Sequence, residues 1–319
     1  MAERSFNSSE TQTSNAAVGG GLPAAAAVRP QRTARRNRRR RWRFLLLLAP
    51  LSVVLLVLAA SLTYMAVLSL RPFHQGVISQ AGATIDNYRR FLADPFYLKI
   101  LWRTLLAGVL VIGTTVVIGY PVAYYISRIG RSRGLLIALT IAPLLVSSVI
   151  RVYSWVYILG NAGFINTMLL RLGLTHQPIR LMYNLQGVIV GLTHVFLPFM
   201  ILSLLAALSN IDQTLEEAAQ GLGASRWRAF LTVTLPLSVP GIIAGSLLVF
   251  TLTIASYITP AVLGSPSRKL LAQVIFDEFV SAGNWPFGAA IAFILLTVSL
   301  VVTVLYYRLM EKQLGGRGA

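Results

Sequence analysis

The sequence has no cysteine, which removes disulfides, thiol nucleophiles and cysteine-built metal sites. Its three histidines, His74, His176 and His194, stand at unrelated positions and do not suggest a histidine-built metal centre. Charge is scarce: 12% of the 319 residues carry it, and only ten of these are acidic. The three lysines, Lys99, Lys269 and Lys312, all lack the glycine context of a GxxxxGKS or GxxxxGKT phosphate loop, so no ATP-hydrolysing motif is present. No metal, cofactor or catalytic group is expected.

Hydrocarbon is abundant. Hydrophobic residues make up 55% of the chain and the mean hydropathy is +0.69, more apolar surface than one soluble core of this length buries. We read an all-α integral membrane protein. A helix needs about 20 apolar residues to cross a bilayer, and six segments qualify, at about 44–70, 100–127, 135–158, 184–208, 241–263 and 287–308. Residues 44–319 then form one transmembrane domain. None of the ten acidic residues falls inside a span.

The formal charge of +18 means little until it is placed along the chain. With the N-terminus inside, the tail, the 128–133 and 209–240 loops and the C-terminus hold 18 basic residues against eight on the outer side. The positive-inside bias puts both termini and the 209–240 loop in the cytoplasm. Residues 1–43 read as a disordered tail, Gly/Ala-rich and then arginine-rich. Because the basic run abuts a span, it is better explained as an orientation signal touching anionic membrane lipid than as a nucleic-acid arm. The apolar stretch Phe44–Leu70 is too long for a cleaved signal peptide and reads as an anchor.

The most informative segment is polar. Between the fourth and fifth spans, Asn210, Asp212 and Thr214 offer N-caps to a short helix, and Thr214 with Glu217 has capping-box spacing, a plain structural account of Glu217. Gly221 and Gly223 permit a sharp corner. Ser225 caps a second helix carrying Arg226, Trp227, Arg228 and Phe230, which Pro236 and Pro240 are expected to end before the fifth span. Ala218 and Ala219 present a flat face. A loop that merely connects is shorter and plainer, so this one reads as a docking surface for another protein.

Glu217-Ala218-Ala219, Gly223, Leu222-Gly223-Ala224-Ser225, Phe230, Val233, Leu235-Pro236-Leu237 and Pro240-Gly241-Ile242 resemble the cytoplasmic EAA signature of permease subunits of binding-protein-dependent ABC importers. The resemblance runs through most of 84–310. It is nearest to the spermidine/putrescine-type permeases at Asn87-Tyr88, Gly119-Tyr120-Pro121, Arg151-Val-Tyr153-Ser-Trp155, Gly163-Phe-Ile-Asn166, Pro178-Ile-Arg180 and Asn284-Trp285-Pro286. It implies a type I importer permease fold in the bacterial inner membrane. The implied partners are a second permease subunit, expected as a heterodimer, ABC ATPase subunits and an extracytoplasmic solute-binding protein. Carried over residue by residue, Glu217, Ala218, Ala219, Gly223, Ala224 and Ser225 become the ATPase-coupling loop.

The solute path is fainter. A charge near the bilayer centre costs roughly 2.5–3.5 kcal/mol, so Arg151, with Tyr153 and Trp155 beside it, is a candidate for the path or gate, as are Tyr257 and Trp285. Aromatic anchoring and packing are the plainer alternatives. A polyamine would benefit from carboxylates along its route, and the spans have none. Another small polar solute, such as an amino-acid derivative, opine or phosphonate, therefore stays open. A secondary transporter should show repeats and intramembrane acids, a channel a polar filter, and a membrane enzyme a catalytic cluster. None of these is visible.

Overall fold

The computed structural model describes residues 33–315 apart from 75, 76, 79–81 and 131. Among the described residues there are thirteen α-helices: α1 Thr33–Ser69, α2 Asp86–Ala93, α3 Pro95–Arg128, α4 Arg133–Leu145, α5 Ser148–Leu159, α6 Phe164–Arg171, α7 Leu185–Leu208, α8 Thr214–Gly221, α9 Arg226–Ala229, α10 Leu235–Ala255, α11 Ile258–Leu263, α12 Leu271–Phe276 and α13 Trp285–Gly315. One antiparallel ladder, Phe73–His74 with Val77–Ile78, is the exception to an all-helical fold. Five helices are long and apolar enough to cross a membrane, or six spans if one bent pair counts as one.

By its contacts the chain falls into two units, Met1–Ala59 and Ala60–Ala319. In the first, residues 1–32, where most of the expected disordered tail lies, fall outside the described residues. From Thr33 the backbone is helical, which corrects the expected tail boundary at 43. Arginine is a good helix former, and beside a span the basic run extends an existing helix without nucleating a new one.

The second unit is built around α7, whose spanning stretch is 61% buried against 28% for α13. Leu192, Met200 and Leu204 on α7 are wholly buried, with α3 and α10 as its main neighbours. Between membrane helices packing has no lipid-exclusion drive, so small residues and hydrogen bonds hold the contact. A β-carbon on Gly241 would stand 2.5 Å from the Ala207 β-carbon, and one on Gly191 2.5 Å from Leu263 Cδ1. The hydroxyls of Thr114 and Thr193 bond α3 to α7 at 2.6 Å, and Tyr120 bonds Ser238 of α10 at 2.7 Å.

Three expected boundaries change. The third span, read as one helix over 135–158, is α4 and the segment from Ser148, bent by 93°. Pro143 removes a backbone donor in the last turn of α4, and the extended residues Val146 and Ser147 complete the break. The fifth span, read over 241–263, runs helically from Arg226 to Ala255, then breaks at Ser256–Tyr257 before α11. Pro236 and Pro240 do not end a helix before it. A π-helical turn at Phe230–Thr234 precedes α10 and places Pro236 in its first turn, where a wider turn gives room for a ring that would strike the carbonyl four residues back.

Polar anchors explain two of the matched segments. Asn87 donates to Ser69 O at 2.8 Å and Arg71 O at 3.0 Å, tying α2 to the end of α1. Fully buried Asn166 donates to Gly160 O at 2.9 Å and Ile179 O at 3.0 Å and accepts from Ile179 N at 2.8 Å, closing the loop that leads to α7. The segment from Leu271 is helical as α12 and continues in a further π turn at Asp277–Ser281. Its start is fixed by the Leu271 N–H donating to Thr104 Oγ1 at 2.9 Å.

Candidate functional site

The polar loop folds as one short helix, α8, and a glycine corner, as the sequence suggests; the second helix starts at Arg226 but is not short, since it runs on into the fifth span. Asp212 Oδ1 accepts from the Thr214 N–H at 2.9 Å, and that bond holds the exposed Asp212 carboxyl below its usual range. The residue preceding α8 is Gln213, with no side-chain cap bond, so the Thr214–Glu217 capping box does not form. Gly223 has φ +93° and nothing within 4 Å of where a β-carbon would stand. The need for glycine there is conformational and owes nothing to space. Ser225 Oγ accepts from the Arg228 N–H at 3.3 Å and caps α9. Ala218 is exposed, Ala219 and Ala224 half-buried.

Two neighbouring carboxylates on α8 behave oppositely. Glu217 is exposed, and among the described residues no hydrogen bond or ion pair engages its side chain. Glu216, which the sequence reading passed over, faces inward with its side chain 12% exposed and pairs with Arg128 Nη2 at 2.7 Å. The Tyr124 hydroxyl donates to it at 3.3 and 3.4 Å, and so does the Thr234 hydroxyl. Around them Arg128 lies over the Tyr124 ring, 5.1 Å from its centroid, while Phe230 packs edge-on against Tyr124 and Tyr120 at 5.4 and 5.6 Å and stacks on Trp227 at 5.4 Å. The available signal was the one-residue step in helical phase between Glu216 and Glu217, which turns the two side chains about 100° apart.

The candidate path residues are not gathered into one site. Arg151 is half-buried on α5, and its Nε and Nη1 are buried without a hydrogen-bond partner among the described residues. One turn on, Trp155 Nε1 donates to His194 Nδ1 of α7 at 3.2 Å; the sequence reading had given His194 no role. Tyr153 is 53% exposed. Tyr257 stands at the α10–α11 break, stacked on Phe276 at 4.2 Å, and Trp285 opens α13 at 49% exposure. No described hydrogen bond or ring contact joins Arg151 to Tyr257 or Trp285.

Helices long and apolar enough to span a bilayer, with a bent third span, a broken fifth and a structured polar corner, define an integral membrane protein. The chain belongs to the binding-protein-dependent transport system inner membrane components, whose family model matches residues 18–314, and is a permease subunit of an ABC importer. It is 36% identical over 226 residues to the spermidine/putrescine transport system permease protein PotB of Salmonella typhimurium (strain SL1344), covering 70% of this chain and 78% of that protein. The PotB of Haemophilus influenzae is 39% identical over 227 residues, covering 70% and 79%. A chain of a bacterial ABC transporter involved in the import of the acidic polysaccharide alginate superposes with a TM-score of 0.71 at 18% identity, over 88% of this chain and 98% of that one. A chain of the MetNI methionine ABC transporter does so at 0.51 and 22% identity, over 66% and 93%. These two likenesses speak for the fold.

Proposed function

We propose that this permease lines the path of an ATP-driven importer for a polyamine such as spermidine or putrescine, and that the α8–α9 corner docks into a separate ATPase subunit. The observation that carries the docking reading is the free carboxylate of Glu217 beside the Ala218–Ala219 face, held at a corner that only Gly223 can turn. Glu217 pairs with a basic group in the ATPase groove, Ala219 packs and Gly223 sets the turn, with Ala224 and Ser225 leading into α9. Both termini and the corner face the cytoplasm, where the ATPase is, and a second permease subunit completes the path. A solute-binding protein delivers the cargo from outside, and residues 1–43 orient the chain and contact anionic lipid.

The polyamine reading rests on the likeness to the PotB proteins. With no carboxylate in the spans, the cation is held by carbonyls and aromatic faces, or selectivity resides in the binding protein. One observation favours a second reading, a small solute with an anionic group such as an amino-acid derivative, an opine or a phosphonate. The Arg151 guanidinium has donors to spare, and Trp155 uses up the acceptor of His194. The test is to reconstitute the permease with its ATPase, second subunit and binding protein and measure hydrolysis. Stimulation by spermidine or putrescine is expected. A response only to anionic solutes overturns the polyamine reading and leaves the importer standing.

A further inference from the structure

We infer that Glu216 is a positioning residue for transport. It is the internal tie that makes α8 move as one body with the end of α3 and the start of α10, so that a displacement of the corner reaches the spanning helices. The inference rests on the docking reading, because it concerns what happens after the corner is pushed.

A helix of eight residues joined to the next through a glycine corner would, without further ties, swing on its own under load. Here one carboxylate prevents that by accepting from three residues on two elements: Arg128 at the last turn of α3, Tyr124 one turn earlier on the same helix, and Thr234 at the end of the π turn that leads into α10. Glu216 and Arg128 are 12% and 19% exposed, so the pair is only weakly screened. Arg128 Nε is buried with no partner of its own. Removing either charge therefore leaves the other desolvated and uncompensated, the arrangement in which breaking a pair costs most. Tyr120, bonded to Ser238 of α10 and packed on Phe230, joins α3 to α10 a second time. The π turn lies inside this knot, and such turns are where helices yield. The tie thus spans the place where α9 and α10 would otherwise flex apart.

The test uses the complete importer in proteoliposomes, reading solute taken up per ATP hydrolysed, ATPase copurification and the thermal midpoint. Glu216→Gln and Arg128→Gln should each retain the ATPase subunit and hydrolyse ATP, yet import at least about fivefold less solute per ATP, the lower end of coupling factors between linked sites. The double variant should lose no more than either single one, because the two groups act as a unit. Tyr124→Phe, which removes one hydroxyl and keeps the ring, should show a smaller loss in the same ratio. Normal solute per ATP in Glu216→Gln overturns the inference, and so do additive losses in the double variant. Loss of ATPase copurification from Glu216→Gln would also overturn it, since Glu216 would then be a docking residue. If the unaltered permease fails to bind an ATPase subunit at all, it is the docking reading that falls.

Discussion

The corner between α8 and α9 and the contact between α5 and α7 both hold polar side chains in a protein that has few, and they differ in how far the chain completes them. At the corner, Asp212, Ser225 and Glu216 each have a partner within the chain, while Glu217 stands free in the open. At the α5–α7 contact, Trp155 and His194 satisfy each other, but Arg151 buries two nitrogens that nothing in the described chain engages. An exposed free carboxylate is no burden, because water solvates it. A buried donor without an acceptor costs about 1–3 kcal/mol and more if charged. The corner is therefore completed within the chain except at one buried donor, Arg128 Nε, whereas Arg151 leaves two buried nitrogens of one side chain without a partner among the described residues.

The hardest blow to this contrast falls at Gly223. Gly223→Val should reduce uptake to background while the protein inserts at normal levels. A β-branched residue at φ +93° is strained by about 1–3 kcal/mol, and the corner has no packing there to hold it. Normal uptake by this variant would mean the corner need not keep its shape. Next comes Glu217→Arg. It should weaken ATPase copurification by about 10- to 100-fold, a cost of about 1.4–2.8 kcal/mol, and leave the thermal midpoint where it was, since the side chain makes no internal contact. A falling midpoint would show that Glu217 has a structural duty after all.

Two substitutions separate the members of the α5–α7 contact. Arg151→Met removes a charge whose cost at membrane depth is roughly 2.5–3.5 kcal/mol. The isolated subunit should unfold at the same or a higher temperature while uptake falls, the reverse of what a structural ion pair does. Trp155→Phe keeps an aromatic ring and deletes the donor to His194. Hydrogen bonds between membrane helices are worth about 0.6 kcal/mol on average, so the midpoint should drop by only about 1–3 °C. If the two variants move the midpoint in the same direction, the distinction between a completed and an uncompleted pair is wrong at this site.

Legibility in the sequence followed the same divide. Span existence came from hydropathy, and α7 and α13 begin and end close to where the apolar runs do. The corner was readable because loop polar residues act through local rules: Asp212 bonds the Thr214 N–H two residues on, Ser225 caps α9, and Gly223 turns. What was missed needed long-range partners. Glu216 looked like a helix-surface acid until Arg128, 88 positions earlier in the chain, was brought to it. The bend after Pro143 and the π turn before Pro236 were hidden because a proline in an apolar run can end a helix, kink it or sit in a first turn, and only the packing decides which. His194 carried no local signal at all, and its role appears only opposite Trp155.

The smallest effect expected sets one end of the second unit against the other through pH. Glu278, half-buried on the π turn Asp277–Ser281, has its carboxyl pushed above the ordinary 4.5 by burial, with Arg90 opposing and the charge of Asp277 adding to the rise. The folded state then holds this proton more tightly than the unfolded one. Stability falls as pH climbs from 4.5 through the folded value, and is constant again above it. Asp212 at the corner runs the other way. Its carboxyl is held below 3.8 by the Thr214 N–H, so its contribution is present above that value and disappears as pH drops beneath it. Glu278→Gln should flatten the midpoint between pH 4.5 and 7 and leave the variant slightly more stable than its parent at pH 7. Asp212→Asn should leave that window untouched and alter only the acid side. A parent midpoint that rises across the window would mean that Arg90 outweighs burial at Glu278, and that this end of the protein, like the corner, holds its carboxylate charged.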